Sequence, residues 1–136
     1  MPQQLYEALN PKTYLELARE LSCRTEAAAR RTAADRAYYA AFLSSRDLLT
    51  TKGYIVPYYD SRDHKDVAEK LKDGNVLGAF GNEENRLRLA RNSVTYDTRV
   101  VSSARKDAVP LDWMLETAKK IIERVEALPP NPQKRP

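Results

Sequence analysis

The chain has 136 residues, of which 42% are hydrophobic and 31% charged, a balance that fits one globular domain and excludes general disorder. Lys and Arg number 23 against 19 Asp and Glu, a net charge of +4 that permits nucleic-acid contact without demanding it. No apolar run approaches the roughly 20 residues a membrane-crossing helix needs, and the start, MPQQLYEALN, shows no secretion signal.

The first helix is expected to open at Asn10-Pro11, a capping residue followed by one suited to the first helical turn. Tyr14, Leu17, Ala18 and Leu21 then share one face. Ser22 or Thr25 is the expected cap of a long second helix that runs from about Thr25 to Lys52 and stops at Gly53. Its Ala27, Ala34, Ala41 and Leu48 recur every seven residues, and such small residues let neighbouring helices approach, so this helix is expected at the centre of a bundle. Tyr38 lies on the core side of that stripe, and Tyr39 lies round the helix, exposed or at an interface. The loop from Tyr54 to Tyr59 is too aromatic for an idle linker and is expected to pack on the bundle or on a partner.

Asp60 or Ser61 is placed to cap a third helix that reaches about Lys72 and ends at Asp73-Gly74. A fourth is expected to start near Asn82 and to fray from Val94 to Asp97. Pro110 opens the last, whose Leu111, Leu115, Ala118, Ile122 and Val125 follow the 4-3-4-3 spacing of a bundle-packing face. Strand-length alternation is absent. The expected fold is an all-α antiparallel bundle of four to five helices over residues 1–128, followed by a Pro-rich tail at 129–136 that is extended or disordered.

Several chemistries drop out. The single cysteine, Cys23, makes no internal disulfide, and a reducing cytoplasm is the expected compartment. The single histidine, His64, belongs to no cluster with metal-ligand spacing, so no metal or cofactor is expected. Gly78-Ala79-Phe80-Gly81 lacks the lysine and the preceding strand of a phosphate loop, and no serine sits in a nucleophile elbow. A lone histidine near a helix start is ordinarily a surface or capping residue, although its near-neutral pKa suits acid–base work.

The segment from Arg86 to Lys106 stands out. Arg86, Arg88, Arg91, Arg99, Arg105 and Lys106 face one acid, Asp97, a local excess of five positive charges. Arg88 and Arg91, with Thr95 beyond them, share a helix face. Guanidinium forks match phosphate oxygens, which makes Arg88, Arg91, Arg99 and Arg105 candidate phosphate or RNA ligands. The alternative is a solvated helix paired to Glu83 and Glu84.

Three segments resemble the HEPN family of small helical-bundle proteins. The run Asp35-Arg36-Ala37-Tyr38-Tyr39-Ala40-Ala41-Phe42, continuing through Ser44-Ser45 to Leu48-Leu49, is similar to its second-helix signature. His64-Lys65-Asp66-Val67 resembles the "H-K-x-V" of one branch, and Leu89 to Asp97 resembles an "L-x-x-R-x-x-x-x-Y" segment. They occur in family order over roughly residues 30–100.

The resemblance implies RNA-linked biology. Many HEPN proteins are metal-independent endoribonucleases in toxin–antitoxin, CRISPR or anti-phage systems. Their arginine stabilises phosphate charge, and a histidine four to six residues later moves protons, the two motifs of a homodimer meeting at the interface. Others bind or scaffold, many beside a nucleotidyltransferase. Here Arg91 and Asn92 match, but Tyr96 stands where the family has histidine. With a usual pKa near ~10, tyrosine is a poor base at neutral pH, and loss of a general base typically costs about 10²–10⁴-fold in rate. In some family toxins a tyrosine near this motif is the target of the nucleotidyltransferase, a role open to Tyr96, although the toxin pattern also carries the histidine that is missing here.

The reading preferred from the sequence is therefore a HEPN-like domain that binds RNA, a nucleotide, or a nucleotidyltransferase or defence partner, with weak or no catalysis. The first alternative is an active metal-independent endoribonuclease in which Arg91 and Asn92 work with Tyr96 or His64. The second is a purely structural oligomerisation module.

Overall fold

The computed structural model describes residues 2–73 and 80–132. Five helices follow one another: α1 (Lys12–Ser22), α2 (Ala27–Thr51), α3 (Asp63–Lys72), α4 (Phe80–Tyr96) and α5 (Leu111–Ala127). Among the described residues there is no strand, and no helix is long and apolar enough to cross a membrane. The all-helical bundle expected from the sequence is the fold. Gly74, the expected stop of α3, the Gly78-Ala79 stretch and residues 133–136 lie outside the described residues.

Helix α2 is the axle, in contact with each of the other four helices. Its alanines explain this. Ala33, Ala37, Ala40 and Ala41 are wholly buried, and with Ala29 and Ala34 they let several neighbours close on the same helix from different sides. Tyr38, Phe42 and Leu49 fill the wider gaps. The expected seven-residue stripe is only partly the buried one: Ala34 and Ala41 are buried, Leu48 is half-buried, and Ala27, in the first turn, faces solvent. Neither Ser22 nor Thr25 caps this helix. Glu26 holds the N-cap position without a side-chain bond, and Ser22 instead gives its carbonyl to Arg30 at 3.0 Å. At the other end Gly53 takes φ 84°, a left-handed conformation that glycine adopts without steric cost.

In α1, Ala18 is buried and Leu15, Tyr14 and Leu21 are half-buried, but Leu17 is 40% exposed, so the packed face is narrower than the spacing predicts. Lys12 pairs with Glu126 at 3.0 Å, which fixes α1 antiparallel to α5. Helices α2 and α4 are antiparallel as well. Arg31 donates to the carbonyls of Val94 (3.1 Å) and Asp97, Thr95 Oγ1 donates to Asp35 at 3.4 Å, and Arg91 lies over Tyr38 and Tyr39. Arg31 also reaches the Arg99 carbonyl at 2.7 Å, so one half-buried guanidinium satisfies carbonyls at and just beyond the open end of α4. Where α3 meets the start of α4, a Cβ on Gly81 would lie 2.7 Å from the Lys72 backbone nitrogen, so only glycine fits.

Leu115, Ala118, Ile122 and Val125 of α5 are buried as its spacing predicts and Leu111 is half-buried, while Met114 and Ile121, outside the predicted stripe, are buried as well. The tail after it is extended and docked over its described part. Lys52 Nζ donates to the carbonyls of Val125 (2.8 Å), Glu126 (2.6 Å) and Leu128, Asn131 N–H donates to the Lys52 carbonyl at 2.8 Å, and Tyr54 Oη donates to Pro129 at 2.8 Å. Tyr54 and Ile55 thus fulfil the expectation that the aromatic loop packs on the bundle, whereas Tyr58 and Tyr59 point into solvent.

Candidate functional site

The antiparallel register of α2 and α4, with α3 laid against both, gathers aromatic, basic and acidic side chains at one place. Tyr38 and Phe42 are one turn apart on α2 and share a face. His64, in the first turn of α3, lies flat on Phe42, the ring centroids 4.0 Å apart and the planes within 6°. Its Nδ1 is 2.5 Å from the Tyr38 hydroxyl oxygen. His64 is therefore not a surface or capping residue. It is half-buried between helices, and the first N–H groups of α3, those of Asp63 and His64, go instead to the backbone carbonyls of Asp60 and Ser61.

Arg91 approaches from α4. Its guanidinium carbon is 5.1 Å from the Tyr38 ring centre and 5.2 Å from that of Tyr39. Among the described residues it has no carboxylate partner within ion-pair distance, and its Nε is buried without a hydrogen-bond acceptor. Asp35 pairs instead with Arg36, while Asp97 pairs with Arg99 (3.0 Å) and Arg105 (2.7 Å). Arg88, one turn before Arg91, donates to Asn85 at 3.0 Å. Arg86 leaves the cluster and lies over the Trp113 ring. The expectation that these arginines are paired off by Glu83 and Glu84 fails for Arg91.

Glu84 is the member that sequence reasoning missed. It is fully buried on α4, and among the described residues neither carboxylate oxygen has a hydrogen-bond partner. Burial pushes its pKa up from 4.5 to about 7, against the opposing pull of Arg88 and of the nearby Tyr38 hydroxyl. That hydroxyl does not hydrogen-bond to it, because its close contact is with His64. Burial, reinforced by the Glu84 charge, holds the Tyr38 pKa well above its usual value, so the phenol keeps its proton. Burial lowers the His64 pKa, and the charges of Arg91 and Arg88 lower it further, so the imidazole is neutral at neutral pH.

The Tyr38–His64 bond can run in two directions, and each gives His64 a different second edge. With Tyr38 donating to Nδ1, the imidazole hydrogen sits on Nε2, a donor suited to an anionic oxygen. With Nδ1–H donating to the phenol oxygen, Nε2 becomes a lone-pair base.

The remaining sequence candidates separate. Asn92 follows Arg91 and is half-buried. Tyr96 is 76% exposed at the end of α4, and five positions place it about 140° round the helix from Arg91. The structure thus brings His64, and not Tyr96, to the arginine. Arg99 and Arg105 belong to a surface network around Asp97, whose carboxyl their hydrogen bonds hold well below the usual range. Those two arginines do not join Arg88 and Arg91. No family model, curated protein or solved structure matches the chain.

Proposed function

We propose that this chain is a HEPN-like domain whose Arg88–Arg91–His64 cluster binds the phosphate of RNA or of a nucleotide, with weak or no catalysis. The supporting observation is Arg91: a guanidinium held over two tyrosine rings, without a carboxylate, beside a neutral imidazole. An arginine paired to a buried acid would be structural; one left unpaired keeps its fork for an incoming anion. Arg88 adds a second positive charge one turn away. In this reading the domain acts as a homodimer, beside a nucleotidyltransferase or defence partner in a toxin–antitoxin or anti-phage setting, as the sequence resemblance implies, and in the cytoplasm, the compartment expected from its single cysteine.

The test is anisotropy of a labelled single-stranded RNA titrated with wild type and with Arg91→Ala at several salt concentrations. Loss of one phosphate contact should weaken binding and flatten the plot of log K against log salt by about 0.7. Equal affinities and equal slopes would remove Arg91 from the interface.

A second reading has one observation in its favour. His64 is bonded to Tyr38, whose ring lies under the arginine, an arrangement that offers a base and a transition-state charge partner without Tyr96. An active metal-independent endoribonuclease would cleave RNA in EDTA and lose that cleavage in both His64→Ala and Arg91→Ala. Wild type that leaves RNA intact favours the binding domain.

A further inference from the structure

Beside this cluster the chain displays two aromatic rings that its core does not use. Tyr58 is 54% and Tyr59 68% exposed, although the turn that carries them is rigidly held. Asp63, wholly buried, accepts the backbone N–H of Tyr58 and of Tyr59, each at 2.8 Å. Tyr59 takes φ 60°, a left-handed conformation that is costly for a bulky side chain. A turn selected only to connect α2 to α3 would carry glycine or asparagine there.

Each ring is backed by a guanidinium. Arg62 lies 3.9 Å from the Tyr58 ring centre and Arg46 lies 4.9 Å from that of Tyr59. Arg46 is itself fixed, with Asp47 at 3.1 Å and Asp63 at 3.9 Å, and its side chain is only 17% exposed. An arginine stacked on one ring face steadies the ring and leaves the other face free. The platform is tied to the phosphate cluster through Arg46, which lies over the Tyr59 ring and pairs with Asp63, the residue before His64 in α3.

We propose that Tyr58 and Tyr59 form a stacking platform for the unpaired bases of single-stranded RNA whose phosphate occupies the Arg88–Arg91–His64 cluster. This rests on the phosphate-site reading above and specifies its substrate. Aromatic faces beside a cationic track are the chemistry by which proteins hold single strands, since every base offers a π-face and no base sequence is required. A duplex keeps its bases stacked inward and cannot use such rings.

The test compares three ligands by anisotropy: a single-stranded RNA of about ten nucleotides, the same strand in a duplex, and an abasic ribose-phosphate oligomer of equal length. Wild type should prefer the single strand to both others. Tyr58→Ala with Tyr59→Ala together should weaken single-strand binding roughly ten-fold or more, from loss of base stacking, while abasic binding is unchanged. Tyr59→Gly separates ring from scaffold, because glycine accepts φ 60°: its melting temperature should hold or rise while single-strand affinity falls. Single-strand affinity unchanged in both variants, with Arg91→Ala still defective, would overturn the platform and leave the phosphate site standing. Wild type that binds single strand and abasic oligomer equally would also overturn it, and no binding of any of the three would defeat both readings.

Discussion

The buried carboxyl of Glu84 makes stability depend on pH in a direction opposite to that of most carboxylates. Its pKa rises from 4.5 to about 7 on folding, chiefly through burial. The folded protein therefore holds this proton more tightly than the unfolded chain. The associated stability is complete below 4.5 and is lost as pH climbs toward about 7, after which the full cost of a buried charge remains. At about 1.4 kcal/mol for each tenfold change in acidity, that cost is about 3 kcal/mol. Glu84→Gln keeps the shape and removes the charge. At pH 8 it should raise the melting temperature by roughly 10 °C for a domain of this size, whereas at pH 4, where the carboxyl is neutral, the two proteins should melt nearly together. Thermal melts followed by circular dichroism at both pH values measure the difference directly. A variant that is destabilised equally at both would mean that Glu84 is ionised and paired in the folded protein, and the reasoning from its burial would fail.

Three more outcomes follow from named contacts. Tyr38→Phe removes the hydroxyl bonded to His64 Nδ1 and should cost about 0.5–1.5 kcal/mol by denaturant titration. The same change should alter the His64 titration followed by NMR, and an identical titration curve would contradict the contact. Lys52→Met strips a charged donor from three carbonyls at the end of α5 and should destabilise by about 1.5–3 kcal/mol. Hydrogen exchange near Leu128 should rise first, and unchanged protection there would argue against the cap. Asp63→Ala removes the acceptor of two part-buried N–H groups, at about 0.5–1.5 kcal/mol each, and should free the Tyr58–Tyr59 turn to proteolysis; equal resistance in both proteins would refute its role as the clamp.

Much of the architecture was legible in the sequence because it rests on local rules. Gly53 ends α2, Pro110 opens α5, and the 4-3-4-3 run of α5 is the buried face. The alanines of α2 announced a central helix, although Ala27, in its first turn, is exposed. Arg91 and His64 were both visible as candidates, but nothing local ties a residue of α3 to one of α4. Their meeting depends on the antiparallel register of α2 and α4 and on Phe42 offering a flat surface to His64. Tyr96 was the expected partner because it stands where the resembled family has its histidine, yet five positions on a helix turn most of the way to the opposite side.

Glu84 was hidden for a different reason. In a run of Glu, Asn and Arg it reads as a solvated face. Helical phase carries the missing signal: positions 84, 87, 91 and 94 form a 3-4-3 stripe, and Leu87 is fully buried. Extending the apolar line backward from Leu87 places Glu84 inside the bundle. The aromatic loop showed the converse limit. Its composition promised packing, which Tyr54 and Ile55 provide, but the outward turn of Tyr58 and Tyr59 depends on the Asp63 clamp.

The central claim is that Arg91 and His64 together meet an anionic oxygen of RNA. Side-chain NMR of ¹⁵N-labelled protein observes both groups at once, the arginine through Nε–H and the histidine through its ring nitrogens. On addition of a short single-stranded RNA, the Arg91 Nε–H and His64 resonances should shift together and saturate at one concentration. RNA that binds while both signals stay fixed would contradict the claim and move the binding surface elsewhere on the bundle.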